Sequence, residues 1–530
     1  MSSCGGSVRS FHHDDDRLSF SEKLEIYDFD SASETSEVHS YQVPKSQSKS
    51  ISLSQIRQNA CNLGTFLSTP LVSSSPSLPR TTSVPDHKDA LIHEKRLHPT
   101  AYLDGMRGLA AFVVFLCHMS YGTFDITHVY NSGEAGEKSE NLAFLQLPIV
   151  RLLYSGPPMV AIFFVISGYV LSCKPLKQMR NHDYDGLMLT LTSSVFRRAS
   201  RLFLPCFVST LIVVALVQLG LYQLTEEFAN EMRMVHEDHA YMAPNVWLQI
   251  WDWMHKMLDF INVFDWSLYA GSIDLDRHLW TIPVEFRCSM ALFITHVLVG
   301  RMRSGIRLAT LCFLVVWGTY WDRWEMVPFW AGALLAEIDL TKADQGQESL
   351  VSEKRVQAEN RSDGRSCFAS VGNTAIFIMG LFLASYPDAD GHISPGYIRL
   401  TNMIPERYTE KHRFWPNVGA VMIVWGAGNV KFLKNTIFES YVMQFLGQIS
   451  FPLYVCHGFI IHTFGYIVMD RVWQWTGGYD DWRKFQMGFA FSAFCTIVVT
   501  LWVSHIFLRI VDVRCVRFAK WLEGQVFTSQ

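Results

Sequence analysis

Long apolar runs follow one another after residue 100 and constrain the fold of this chain more than any other feature. A helix of about 20 apolar residues crosses the hydrocarbon core of a bilayer, and within lipid only helices or closed barrels satisfy the backbone polar groups. We therefore predict an all-α, polytopic integral membrane protein with about ten transmembrane helices. The predicted segments lie near residues 102–122, 150–173, 202–222, 279–299, 306–321, 327–339, 371–386, 417–430, 445–469 and 487–508.

The composition agrees with a membrane protein. Hydrophobic residues make up 49% of the chain and charged residues 18%, whereas soluble proteins average about 25% charged residues. The net charge of -4 gives no indication of nucleic-acid binding. The 11 cysteines show no spacing typical of a zinc site, so we interpret most of them as small apolar residues.

The chain divides into three regions by composition. Residues 1–95 are rich in Ser and are predicted to form a disordered, phosphorylatable cytosolic tail that carries no signal peptide. Residues 96–510 are predicted to form the membrane domain. Residues 511–530 are predicted to form a short cytosolic tail.

Loop charge predicts the orientation of the membrane domain. With the Ser-rich tail in the cytosol, the alternate loops on the same side hold most of the basic residues, as the positive-inside rule requires. Both termini are then cytosolic and the number of spans is even. These basic residues fall at 174–201, 301–307, 354–365 and 509–520.

Two loops carry further predictions. The longest outer loop, residues 223–278, contains an aromatic stretch that predicts a surface helix near the outer leaflet. The sequon at 360–362 falls on the cytosolic side and is expected to stay unglycosylated. A eukaryotic source would place the protein in the endoplasmic reticulum or the plasma membrane.

Three ionisable residues form one stripe on the first hydrophobic segment. Arg107 and His118 are eleven positions apart, which on a helix returns to within about 20° of the same direction. Asp104 precedes Arg107 by three positions and lies near the same face. Charged groups inside a membrane are costly and usually mark a functional path. The alternative for Arg107 is that it only pairs with Asp104 at the helix end and extends toward the membrane surface. His118 is predicted to lie deep inside, where a neutral imidazole acts as a general base, and a buried structural histidine is the alternative.

Other polar residues interrupt the apolar segments. Arg198 and Arg201 share a helix face with Arg197 beside them, and this basic cluster fits either phosphate binding or topological anchoring. Glu285 is expected to pair with Arg287 or to orient another charged group. The remaining candidates are Ser167, which also fits close helix packing, and His457. His457 and His462 lack the HExxH spacing, so the sequence predicts no metal site.

Four stretches in this order resemble acyltransferase family 3, a family of integral membrane proteins of about ten helices. They are "YLDGMRGLAAFVVFLCHMS", "FFVISGYVLS", "FRRASRLFLP" and "LWTIPVEF", and the later "ISFPLYVCHGFII" is similar to the family's last motif. The resemblance covers about residues 100–510. Family members move an acyl group, commonly acetyl, from acyl-CoA to a hydroxyl on a lipid, a sugar or a small metabolite.

The resemblance implies roles for individual residues. His118 would be the catalytic base, Arg107 would help to hold the donor, and Glu285 matches a Glu of a family motif. We place Arg107, Asp104 and Glu285 with His118 in the catalytic group. The resemblance also implies that Arg197, Arg198 and Arg201 hold the donor phosphates, and we place Ser167 and His457 on the acceptor side. Acyl-CoA would be a co-substrate, with no tightly bound cofactor. Direct transfer is preferred, and a transient acyl-histidine is the alternative.

The main rival function is transport. Intramembrane Asp, Arg, Glu and His side chains also build proton relays and substrate paths. Transporters often contain inverted repeats with paired broken helices, and the two halves of this sequence show no clear repeat. A third reading is a family member that has lost its activity, which the presence of Arg107 and His118 disfavours.

Overall fold

A computed structural model describes the fold of most of the chain. The predicted disordered tail at residues 1–95 and the sequon at 360–362 lie outside the described residues. The described residues are 97–132, 143–232, 234, 239–265, 271–353 and 363–527.

Helices account for the regular structure of the described residues, which contain no strand. The first eight are α1 (Ala101–Ser120), α2 (Gly156–Arg180), α3 (Tyr184–Gln218), α4 (Gln223–Asn230), α5 (Val246–Phe260), α6 (Thr281–Val299), α7 (Ser304–Tyr320) and α8 (Met326–Glu353). The next seven are α9 (Asp363–Ala384), α10 (Ile398–Asn402), α11 (Lys411–Asn429), α12 (Tyr441–Ile460), α13 (Tyr466–Thr476), α14 (Trp482–Phe507) and α15 (Val513–Val526).

Six helical segments in this described part of the chain are long and apolar enough to cross a membrane. They are Ala101–Ser120, Gly156–Arg180, Tyr184–Gln218, Arg277–Val299, Tyr441–Thr476 and Trp482–Val526. Each of the ten hydrophobic segments predicted from the sequence falls on a helix. The all-α membrane architecture is therefore confirmed, whereas a count of about ten spans stays a prediction.

Glycines let pairs of helices approach closely around the centre of the bundle. A Cβ atom on Gly168 of α2 would lie 2.1 Å from the carbonyl oxygen of Phe329 on α8. On Gly108 of α1 it would lie 2.3 Å from the backbone nitrogen of Gly447 on α12. Small residues at such crossings allow backbone contact between membrane helices. The α1–α12 contact matters most, because it fixes His118 relative to α12.

The predicted outer loop at 223–278 contains two helices, α4 and α5. The inner face of α5 buries Gln249, Met257 and Phe260, while Trp247 and Trp251 on its other face are 79% and 61% exposed. Exposed tryptophans of this kind gather at membrane–water interfaces. The predicted surface helix is confirmed, and its position at the outer leaflet stays a prediction.

A charged cluster beyond the end of α1 joins two loops outside the membrane-spanning helices. The Nδ1 atom of His128 lies 2.5 Å from the carboxylate of Asp125, and its Nε2 atom lies 3.1 Å from that of Asp390. The hydrogen bond to Asp125 raises the pKa of His128 to about 9. Burial would raise the pKa of Asp125, but hydrogen bonds from His128 and Thr127 outweigh it and lower that pKa to about 2.

We expect this cluster to stabilise the protein in a defined pH window. A raised histidine pKa gives stability that is complete below the ordinary value of 6.5 and is lost as the pH rises through about 9. The lowered Asp125 pKa gives stability that is complete above 3.8 and is lost toward pH 2. Thermal unfolding in detergent should therefore show that His128→Gln lowers the Tm most near pH 6 and little near pH 10. His255→Gln, at an exposed position on α5, is the control, and a Tm deficit that does not change with pH would contradict the account.

Candidate active site

Three buried histidines from separate parts of the chain meet beside α1. They are His118 of α1, His278 in the 3₁₀ turn before α6, and His457 of α12, and each is at most 3% exposed. The ring centroids of His118 and His278 lie 4.0 Å apart, and that of His457 lies 5.2 Å from His118 and 4.9 Å from His278. We call these residues the histidine cluster. It is able to accept, hold and pass on a proton.

Hydrogen bonds fix the ring orientation of two members of the histidine cluster. The Nδ1 atom of His278 lies 2.8 Å from the Oδ1 atom of buried Asp276. The Nδ1 atom of His457 lies 2.6 Å from the carbonyl oxygen of Tyr454. Because both neighbouring oxygens are acceptors, each Nδ1 atom donates its proton and each Nε2 atom is left as the acceptor. Asp276 and His278 thus form a carboxylate–imidazole pair beside His118.

A backbone turn and a tyrosine position that pair. Asp276 caps the 3₁₀ turn Arg277–Trp280, accepting a hydrogen bond from the backbone N–H of His278 at 3.1 Å. The hydroxyl of Tyr454 on α12 donates to the carbonyl oxygen of His278. The turn is therefore held from both sides, and His278 faces the cluster with little freedom.

His118 lies in the last turn of α1, near the end of the helix rather than at its middle. The sequence placed it deep inside the membrane, and it is buried as predicted, but the site lies toward one end of the span. Residues 276–278, which meet His118, are the last residues of the predicted outer loop. The histidine cluster is therefore closer to the predicted outer side than to the cytosolic side.

Arg107 and His118 both face α12, as their spacing predicts. The guanidinium of Arg107 donates to the Oγ atom of Ser450 at 2.8 Å and to the carbonyl oxygen of Gly447 at 2.9 Å. It also lies 3.3 Å from Asp104. His118 meets α12 at His457, seven residues beyond Ser450, or about 10 Å along the helix. The α1–α12 contact thus has a polar group at each end, Arg107 with Ser450 and His118 with His457, and we call these four residues the polar line. Buried apolar residues such as Val114 and Leu453 lie between the two ends.

A second buried charged group joins α2, α3 and α6. Glu285 accepts hydrogen bonds from Arg198 and from the hydroxyl of Ser167, the latter at 2.9 Å. Arg198 is 3% exposed and Glu285 and Ser167 are fully buried. Glu285 therefore pairs with Arg198. This agrees with the expectation that Glu285 orients another charged group. Ser167, predicted on the acceptor side, also belongs to this group.

The three predicted donor-binding arginines do not form one surface patch. Arg198 points inward to Glu285, whereas Arg197 lies 3.4 Å from Glu523 on α15 with 21% of its side chain exposed. Arg201 is partly exposed on α3. Successive positions on a helix point in different directions, so this triplet separates into an inner and an outer part. Phosphate binding by these residues stays a proposal.

Sequence reasoning missed Asp276, His278 and Tyr454. Asp276 and His278 come immediately before the quoted motif "LWTIPVEF", in the stretch "DRHLW". A signal was present, since an Asp and a His two residues apart lie next to an apolar helix start. Their meeting with His118 depends on contacts between residues 160 positions apart, which the local pattern does not reveal.

The comparisons with known proteins define the class of this chain. Residues 100–509 match the family described as an acyltransferase domain. The chain therefore belongs to acyltransferase family 3, as its motifs predict, and it is a membrane acyltransferase.

Its curated relatives carry matching names. An O-acetyltransferase of Phomopsis amygdali is 29% identical over 82% of this chain and 87% of that protein. An acyltransferase of Cochliobolus lunatus is 28% identical over 78% of this chain and 93% of that protein. An acyltransferase of a Phoma species is 27% identical over 80% of this chain and 96% of that protein. No solved structure matches the chain.

Gly458 offers a test of the site's geometry. A Cβ atom there would lie 2.8 Å from the Nδ1 atom of His278 and 2.9 Å from the carboxylate of Asp276. Gly458→Ala should therefore displace the carboxylate–imidazole pair, lower acyl transfer at least tenfold and cost about 1–3 kcal/mol of stability. Transfer rates and thermal unfolding of the purified variant measure both effects.

Gly465→Ala is the matched control for Gly458→Ala. It lies seven residues further along the same helical segment, and its new Cβ would meet its nearest neighbour, Thr496, at 3.4 Å, an ordinary contact. Equal losses in the two variants would mean that any added methyl group in this segment is harmful. That result would contradict a specific role for the Asp276–His278 geometry.

Proposed function

We propose that this chain is a membrane O-acyltransferase that moves an acyl group, preferentially acetyl, from acyl-CoA to a hydroxyl of a lipid, a sugar or a small metabolite. One observation carries the proposal. His118 lies buried against His278, whose ring is hydrogen-bonded to Asp276. This arrangement supplies a general base with an adjacent negative charge, as activation of a hydroxyl requires.

The proposed reaction is a direct transfer with His118 as the base. The imidazole of His118 takes the proton of the acceptor hydroxyl while the oxygen attacks the thioester carbonyl carbon. The carbon–sulfur bond then breaks, and coenzyme A leaves as a thiolate that takes the proton back from His118. The buried carboxylate of Asp276 favours the positive charge that forms transiently on the neighbouring imidazoles.

The donor is proposed to approach from the Arg107 end of the polar line. Coenzyme A is anionic and cytosolic, and the first half of α1 is predicted to lie at the cytosolic side. Arg107 is buried and already donates to α12, so it would attract the anionic donor through its positive charge rather than through direct hydrogen bonds to phosphate. The acyl arm would then extend along the α1–α12 contact to His118.

The acceptor is proposed to enter from the opposite side. A narrow cleft is lined by Tyr222, Arg277, His278, Gly458 and His462. Its walls come from the predicted outer loop and from α12 with the π-helical turn that follows it, and it reaches the Asp276–His278 pair directly. An acceptor hydroxyl in this cleft would meet the histidine cluster without crossing the donor path.

We expect Arg107→Ala to impair donor use more than acceptor use. Removing the guanidinium withdraws a cation from the donor end while His118, His278 and His457 stay in place. The KM for acetyl-CoA should rise about tenfold or more, because the attraction between this cation and the anionic donor is lost, with a smaller change for the acceptor. Arg399→Ala, at an exposed arginine on α10, is the control, and an unchanged donor KM in Arg107→Ala would contradict the proposed path.

Release of coenzyme A thiol separates this proposal from the transport alternative. An acyltransferase in proteoliposomes forms a new ester and one free thiol for each ester, whereas a transporter moves its solute chemically unchanged. We expect thiol release from acetyl-CoA that depends on the acceptor and on the native chain. Solute uptake without any thiol release would favour the transporter, for which the buried Arg198–Glu285 pair would be a substrate or proton path.

A further inference from the structure

We propose that the histidine cluster is also a reversible binding site for Zn²⁺, and that bound Zn²⁺ inhibits the enzyme by occupying the base. The proposal rests on the proposed function, because inhibition follows only if His118 acts as a base. It goes beyond that function by assigning a ligand and a means of regulation to the same residues.

The first argument is the geometry of the ligands. His118, His278 and His457 each offer a ring nitrogen, and these nitrogens all lie within 4.8 Å of one another. Zinc–nitrogen bonds of about 2.0 Å in a tetrahedral site place two nitrogens about 3.3 Å apart. Ring movements of about 1 Å would therefore complete a three-histidine site whose fourth position stays open to water or substrate.

The second argument is that two of the histidine ligands are oriented by hydrogen bonds to neighbouring acceptors. Histidines that bind a metal almost always donate their other ring N–H to a carboxylate or a backbone carbonyl. His278 does so to Asp276, and His457 does so to the carbonyl oxygen of Tyr454. Both Nε2 atoms are thereby left as electron-pair donors. A general base and a zinc ligand have the same requirement. Each needs an Nε2 atom that is held in place and carries no proton.

The charge of the site favours reversible binding of a divalent ion with moderate affinity. Three neutral imidazoles bring no negative charge of their own, and Asp276, whose side chain is 2% exposed, supplies one through His278. Imidazole ligands suit Zn²⁺ and Cu²⁺ far better than Mg²⁺ or Ca²⁺. The proposed entry path is the narrow cleft lined by Asp274, Asp276, Arg277 and His462.

Occupancy by Zn²⁺ is incompatible with the transfer step. The electron pair of His118 that would take the hydroxyl proton would be engaged in the metal bond. Neither His278 nor His457 would be available in its place. Zinc should therefore lower the transfer rate in proportion to the fraction of chains that bind it, and a chelator should restore it.

Equilibrium dialysis of Zn²⁺ against the full chain tests the site. The protein is purified without a polyhistidine tag, reconstituted in nanodiscs and stripped with a chelator. We expect about one zinc ion per native chain by elemental analysis. Binding should be at least tenfold weaker in His457→Gln and about 10–100-fold weaker in Asp276→Asn. His255→Gln, at an exposed position on α5, should bind like the native chain.

Co²⁺ absorption reports the coordination geometry, and a cooperative thermal unfolding transition in each variant shows that lost binding does not come from a lost fold. Co²⁺ in place of Zn²⁺ should give the visible absorption typical of tetrahedral coordination in the native chain and in His255→Gln, and not in His457→Gln. No zinc in the native chain, or equal zinc in native and His457→Gln chains, would overturn the site. Full transfer activity at full zinc occupancy would overturn the inhibition.

The two proposals fail in different ways. Metal-free native protein that transfers no acyl group to any acceptor would contradict the proposed function and would leave the dialysis result unaffected. Zinc that raises activity would overturn the inhibitory role and would also show that His118 is not the base.

Discussion

His118→Ala is expected to lower kcat by about 10²–10⁴-fold, the usual contribution of general acid–base catalysis. The substitution removes the group that takes the acceptor proton and leaves Arg107, Asp276 and the Arg198–Glu285 pair in place. Steady-state transfer rates at saturating acetyl-CoA measure the effect. The KM for acetyl-CoA should change little, because His118 lies at the far end of the polar line from the donor phosphates.

Controls separate a catalytic loss from an unfolded protein. His118→Ala should elute from size exclusion like the native chain and keep a cooperative unfolding transition. His255→Ala, at an exposed histidine on α5, should retain native activity. A well-folded His118→Ala variant with ordinary kcat would end the proposed role of His118.

Arg198→Met is expected to destabilise the protein by about 3–5 kcal/mol. Removing one partner of a buried ion pair leaves the other charge buried without compensation. Glu285 is fully buried and Arg198 is 3% exposed, so water cannot take the place of the lost guanidinium. Thermal unfolding in detergent measures the loss, and Glu285→Leu should be destabilised to a similar extent.

The double variant Arg198→Met/Glu285→Leu tests the ion pair itself. Apolar replacement of both partners of a buried pair is often neutral or stabilising. We expect the double variant to recover most of the stability that either single change loses. A double variant that loses the sum of the two single effects would show that Arg198 and Glu285 act independently.

The helical architecture could be predicted from the sequence because a run of apolar residues is a local signal. Each predicted segment falls on a helix, from α1 to α14. The number of membrane spans was harder to predict, because some helices combine polar and apolar stretches. One of them is α11, which starts "KHRFWPN". Whether such a helix crosses the membrane depends on which neighbours shield its polar groups.

The part of the site whose residues share one helix could be predicted from the sequence. The spacing of Arg107 and His118 predicts that both face the same neighbour, and both face α12. Asp276 and His278 were missed because their role comes from their distance to α1 in space. The pairing of Arg198 with Glu285 joins residues 87 positions apart, and only the packing of α3 against α6 determines it.

The measurement that tests the central claim most directly is label transfer from acetyl-CoA. Purified native chain and His118→Ala, each in nanodiscs, are incubated with acetyl-labelled acetyl-CoA and a total extract of the parent organism. The account predicts a labelled ester made by the native chain and absent with His118→Ala. Acetyl-CoA that neither binds nor labels any product with the native chain would contradict it.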